Sequence, residues 1–120
     1  MMLVDTSVWV DHFRLSNPAV VAALNADAVL AHPAVIGELA LGSLKRRSDV
    51  LRFLHHLPSA TIATDAETLG LIEQRKLAGS GVGYVDAGLL AAVLLTPGAT
   101  LWTKDSRLHT VAHTFGIATP

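Results

Sequence analysis

The chain has 120 residues and 12.6 kDa, and nine Lys and Arg against ten Asp and Glu leave a formal net charge of −1, without the cationic surplus that bulk attraction to nucleic acid requires. Apolar residues make up 51% and charged ones 16%, which excludes disorder, and the length suits a single domain over residues 1–120. The absence of cysteine excludes disulfides and thiolate metal sites and accords with a reducing, cytoplasmic setting.

Met2-Leu3-Val4-Asp5 reads as a short buried strand that meets an acid too soon to be a signal peptide, and Thr6 or Ser7 is expected to cap a helix through about Arg14. Asn17-Pro18 opens a second helix, with Asn17 as cap. Ala28 to Ala31 is a candidate second strand, followed by a helix from His32-Pro33 that Gly42 can close. After Lys45-Arg46-Arg47, Ser48 is expected to cap a helix from Asp49 to about His56. Ala60 to Ala63 is a candidate third strand, and Thr64-Asp65-Ala66-Glu67 is a capping box for a helix to about Ala78. Beyond the Gly79–Gly83 loop, the run Val85 to Leu95 holds Asp86 and ends at Thr96-Pro97-Gly98, short of the roughly 20 residues of a membrane span, so it is expected to be a core helix. A strand from Ala99 to Thr103, a helix from about Ser106 to Phe115 and a weak strand near Ile117 complete the chain.

This alternation predicts an α/β fold, a sandwich with a central, mostly parallel β-sheet flanked by helices. Ligand sites in such sheets gather at the carboxyl ends of strands, which points to Asp5 and to Thr103–Asp105.

Four acids stand out. Asp86 is the only charged residue between Lys76 and Lys104, and its helical neighbours are Val82, Gly83, Leu89 and Leu90, so its carboxylate needs a cation, a helix N-terminus or a raised pKa. Glu38 has Ala34, Val35, Leu41 and Gly42 as neighbours, and is either a solvated position or a second acid on an apolar face. Asp5 and Asp105 each end a strand beside hydroxyl residues able to cap in their place, Thr6 and Ser7 in one case and Ser106 in the other; each is either a cap or a ligand. Four carboxylates at one rim would repel unless a hard cation sat among them, and an all-oxygen set favours Mg2+ or Mn2+ over zinc.

The blocks LVDTSVWVDHF, VIGELALG, GVGYVDAGLLAAVLL and LWTKDSRL, in this order over essentially the whole chain, resemble PIN-domain ribonucleases of the VapC toxin type. The resemblance implies a three-layer PIN-like sandwich and a Mg2+ or Mn2+ site built from Asp5, Glu38, Asp86 and Asp105, with Thr103, Thr6 and Ser7 as polar neighbours. It implies further that this site hydrolyses RNA with activated water, that a small VapB-like antitoxin restrains it, and that the protein is a homodimer without a membrane segment.

Apart from the four acids, the formal charge is about +3, an excess able to meet phosphates through Lys104 and Arg107 beside Asp105, and through Lys45, Arg46 and Arg47, which could equally be a solvated loop. His109 and His113 have the spacing of zinc ligands but no third ligand nearby, and read as an exposed helix face; the Gly79–Gly83 loop lacks the lysine of a phosphate cradle. Two other readings remain open. A catalytically silent PIN-like module would bind RNA or protein. A phosphatase of the aspartyl-phosphate type would want a second Asp where Ser7 stands.

Overall fold

In the computed structural model, which describes residues 1–120, the apolar triplet at the start of the chain forms β1 (Met2–Val4), with Leu3 and Val4 fully buried. On one side of it lies β2 (Val29–Leu30), on the other β3 (Thr100–Trp102), and both pair with it in parallel. The register sets Leu3 opposite both Leu30 and Leu101, so the centre of the sheet is apolar throughout, as a sheet covered by helices on both faces requires.

Parallel neighbours need long crossovers, and helices supply them. Between β1 and β2 run α1 (Thr6–Arg14) and α2 (Pro18–Asn25), the latter capped by Asn17, whose side chain accepts from the Ala19 amide. Between β2 and β3 run α3 (Pro33–Leu41), α4 (Arg47–His56), α5 (Asp65–Gln74) and α6 (Tyr84–Leu95), and after β3 comes α7 (Ser106–Thr114). Helix α1 packs on α3, α3 on α4 and α5 on α6, while α6 and α7 lie against β3. The core joins the three strands to Val8 and Trp9 of α1, Val35 and Leu39 of α3, Leu89 to Val93 of α6 and Leu108 of α7. The apolar run is therefore a helix whose middle, Leu89 to Val93, is in the core while Val85, Leu94 and Leu95 are exposed, and no helix is long and apolar enough to cross a membrane.

Several expectations are corrected. Ser48 caps nothing: α4 begins at Arg47, behind Arg46 in the left-handed region (φ 53°), where the Arg47 guanidinium donates to the Ala40 carbonyl closing α3. The expected strand Ala60 to Ala63 shrinks to one bridge between Ser59 and Ala31, because Ala60 is buried but the Thr61 amide turns to the Thr96 hydroxyl and Ile62 is left in solvent. Helix α5 has the predicted reciprocal box at Thr64 and Glu67, yet stops at Gln74, where Lys76 turns left-handed (φ 53°). The weak last strand is one bridge, Ala118 to Leu101.

Candidate active site

Because the strand order is β2-β1-β3, the chain leaves β1 first to one side and later to the other, and connections that diverge in this way open a crevice at the carboxyl ends of the strands. Asp5 follows β1 and Thr103–Asp105 follow β3, at that crevice.

Asp5 is 5% exposed and is itself the cap of α1: its Oδ1 accepts from the Ser7 amide at 2.7 Å and from the Ser7 hydroxyl at 2.5 Å. Neither Thr6 nor Ser7 caps, contrary to expectation, since Asp5 is the residue with extended backbone (φ −83°, ψ 173°) immediately before the first helical turn. The β3–α7 junction repeats the arrangement. Asp105, not Ser106, is the cap, its Oδ1 accepting from the Leu108 amide at 2.9 Å while its own amide donates to the Thr103 hydroxyl at 3.0 Å. In both aspartates one oxygen serves the helix, and the other makes no hydrogen bond within the chain.

Asp86 lies in the first turn of α6, whose cap position, Gly83, contributes no side-chain bond. Its pKa is raised to about 6, first by burial and then by repulsion from Asp5, Glu38 and Asp105, so the four carboxylates share one electrostatic neighbourhood. Of the two readings open for Glu38, the solvated one holds. Its sequence neighbours are apolar, but Val35 and Leu39 take the core-facing side of α3 and leave Glu38 exposed, where its Oε1 accepts from the Thr6 hydroxyl at 2.7 Å. Thr6 and Ser7 thus divide the work at the start of α1, one holding Glu38 and the other Asp5.

No group of three or more acids or histidines is arranged to hold a metal ion between its side chains. Oxygen donors without nitrogen or sulfur suit a hard divalent cation, and Mg2+ commonly keeps several waters while taking only one or two carboxylates directly. An open acidic rim, with one member already disfavoured as an anion, fits a hydrated ion of that kind.

The expected cations fall into three groups. Lys104 turns its ammonium to Asp11 of α1, in a pair exposed on both sides, and its amide to the Ser7 hydroxyl. Arg107 lies along the Gly79–Gly83 loop, against Gly81. Lys45 and Arg46 line a groove of about 980 Å³ between α1, α3 and α4, which Glu38 also borders but which Asp5, Asp86 and Asp105 do not reach. Arg46 pairs with Asp49 at 3.2 Å, and Arg47 is spent on the Ala40 carbonyl. Arg14 and Phe53 also line that groove and were not singled out from sequence; the available signal for Arg14 was the basic last turn of α1. His109 and His113 sit on an exposed face, as expected.

The chain matches the family model described as PIN domain over residues 2–114. It is also 47% identical to Ribonuclease VapC32 from two Mycobacterium tuberculosis strains, over 118 residues that cover 98% of this chain and 95% of each relative. With the strand-end aspartates and the acid-bearing helices in place around one crevice, these matches show that the chain belongs to the PIN-domain family.

Proposed function

We propose that this protein is a metal-dependent endoribonuclease, the toxin of a toxin–antitoxin pair, with Asp5, Glu38, Asp86 and Asp105 as its catalytic acids. One observation carries the assignment to that site: burial of Asp86, and after it repulsion from Asp5, Glu38 and Asp105 on different elements, raises its pKa to about 6. A fold that gathers four acids without pairing them with cations has a use for a divalent ion there. The relatives named ribonuclease extend the reading to RNA.

Asp5 and Asp86 would hold the principal Mg2+ or Mn2+, and Glu38 and Asp105 would complete the site or orient its waters. The bound ion supplies neutralisation of the phosphoryl oxygens and a lowered pKa for the attacking water. The chain's own groups then have distinct tasks. Asp5 and Asp105 keep one oxygen on a backbone amide and offer the other to the site, so neither carboxylate swings with the substrate. Thr6 orients Glu38, and Thr103 orders the Asp105 junction. Arg107, which lies against Gly81, and Lys45 and Arg46, which line the groove, would meet phosphates of the bound RNA. Water is the nucleophile, so no covalent enzyme intermediate forms. The partners are RNA, a small VapB-like antitoxin and a second copy of the chain in a homodimer, and the setting is the cytoplasm.

The deciding measurement is divalent-dependent cleavage of an RNA panel by the wild type and by Asp5→Asn, with EDTA as control. Cleavage by the wild type alone, abolished by EDTA, is expected. Equal cleavage by both proteins, or none by either, would overturn the assignment.

A further inference from the structure

The parallel ladder between β1 and β3 ends at the bond from the Asp5 amide to the Trp102 carbonyl, 3.0 Å long. One step further, α1 has begun and no β1 carbonyl remains to receive an amide from the β3 side. The Lys104 amide instead donates to the side-chain hydroxyl of Ser7, at 2.9 Å. That same Oγ lies 2.5 Å from Asp5 Oδ1 and 3.5 Å from the Thr103 hydroxyl, which in turn receives the Asp105 amide at 3.0 Å.

A serine hydroxyl has one proton to give and two lone pairs to fill. With the Lys104 amide donating into Oγ, the proton is directed to the Asp5 carboxylate, and charge-assisted O–H···O bonds of this kind are characteristically short. One side chain therefore connects two strand-to-helix junctions that are 97 residues apart in sequence, and does so where the sheet's own hydrogen bonding has stopped.

We propose that Ser7 is the positioning residue of the acid site: its hydroxyl splices the end of β1 to the end of β3, holding Asp5 and the Thr103–Asp105 junction in one fixed relation. This rests on the nuclease reading and adds to it a residue that touches neither RNA nor the reacting atoms. Thr6 and Thr103 do not duplicate it, since Thr6 is turned to Glu38 and Thr103 meets Asp5 only through Ser7. Loss of the hydroxyl leaves every carboxylate in the chain but lets the two junctions drift, which affects cation binding and turnover more than RNA capture.

The test compares Ser7→Ala, Ser7→Thr and Ser7→Cys with the wild type in three readouts. Residues that orient ligands from outside the direct shell typically change metal affinity or activity by 10–100-fold. Ser7→Ala should weaken Mn2+ binding to the RNA-free protein, followed by calorimetry, by roughly tenfold, and lower kcat by roughly 10–100-fold with KM for RNA within about twofold. In the metal-free protein, hydrogen exchange at the Lys104 amide should accelerate in Ser7→Ala. Ser7→Thr, which keeps the hydroxyl, should recover most of all three losses. Ser7→Cys, close in size with a weaker donor, should fall between and stands in for Ser7→Ala if that variant does not fold. Wild-type kcat and Mn2+ affinity in Ser7→Ala would overturn the role of Ser7 while leaving the nuclease reading intact, as would Ser7→Thr being as impaired as Ser7→Ala. A wild type that neither binds Mn2+ nor cleaves RNA overturns the nuclease reading, and the positioning role with it.

Discussion

Asp5 and Asp105 each spend one carboxylate oxygen on the helix that follows, at 2.7 and 2.9 Å, whereas Asp86 makes no such bond and Glu38 is held by one threonine hydroxyl. The first pair is fixed by the backbone and contributes to local stability while standing at the site. The second pair is carried on helix faces with almost no structural duty, and in Asp86 the electrostatics oppose folding of the ionised form. Substituting one pair should therefore cost both stability and function, and the other function alone.

The largest expected effect is on cleavage. Asp5→Asn preserves the cap, because Asn caps about as well as Asp, and removes the charge; cleavage assays should show a loss on the order of 100-fold or more with little change in melting temperature. Asp86→Asn should lose as much activity and yet gain stability without metal. A folded-state pKa raised from 3.8 to about 6 means that the stabilising protonated form is fully present below about pH 3.8 and is lost as pH rises through about 6. Urea unfolding of the metal-free wild type should accordingly weaken between those values. At pH 7, Asp86→Asn should be more stable by roughly 1–2 kcal/mol, after discounting for the half of the group that stays in water. If the variant is no more stable and the pH dependence persists, the repulsion lies elsewhere.

Gly81→Ala should destabilise by about 1 kcal/mol or more in thermal melts. Its φ of +83° disfavours a side chain, and a Cβ there would sit 2.7 Å from Arg107 Cδ, so the same substitution should displace Arg107 and raise KM for RNA. Asp5→Ala and Asp105→Ala should each cost about 1 kcal/mol through the lost cap, while Glu38→Ala, at an exposed position, should stay within about 0.5 kcal/mol; equal losses in all three would erase the contrast between the pairs. The smallest effect is reserved for Lys104→Ala. Its pair with Asp11 is exposed on both sides, and unfolding at low and high salt should find no more than about 1 kcal/mol.

Much of this was legible in the residues. Val85 to Leu95 read as a core helix, and its middle is one; Asn17-Pro18 and the Thr64–Glu67 box announced two helix starts; and the isolation of Asp86 among apolar neighbours left a raised pKa among its three readings. Ser48 misled because a hydroxyl residue before an apolar stretch is a cap only if its own backbone is extended. Here the turn was set one residue earlier in the chain than Arg47, by Arg46 in the left-handed region. Ala60 to Ala63 misled because β-forming composition does not reveal where an edge segment leaves the sheet for its next helix.

The sequence by itself determined what depends on neighbours within a few residues: the apolar strands, the amphipathic helices, most helix starts to within a residue or two, and the presence of four acids that stand apart from other charges. Only the tertiary structure decided that Asp5 caps in place of Ser7, that Glu38 is exposed yet tied to Thr6, and that Lys104 pairs with Asp11. Side-chain bonds that join residues 32, 93 and 97 positions apart are fixed by strand register and helix docking, and neither is written in the local pattern of the chain.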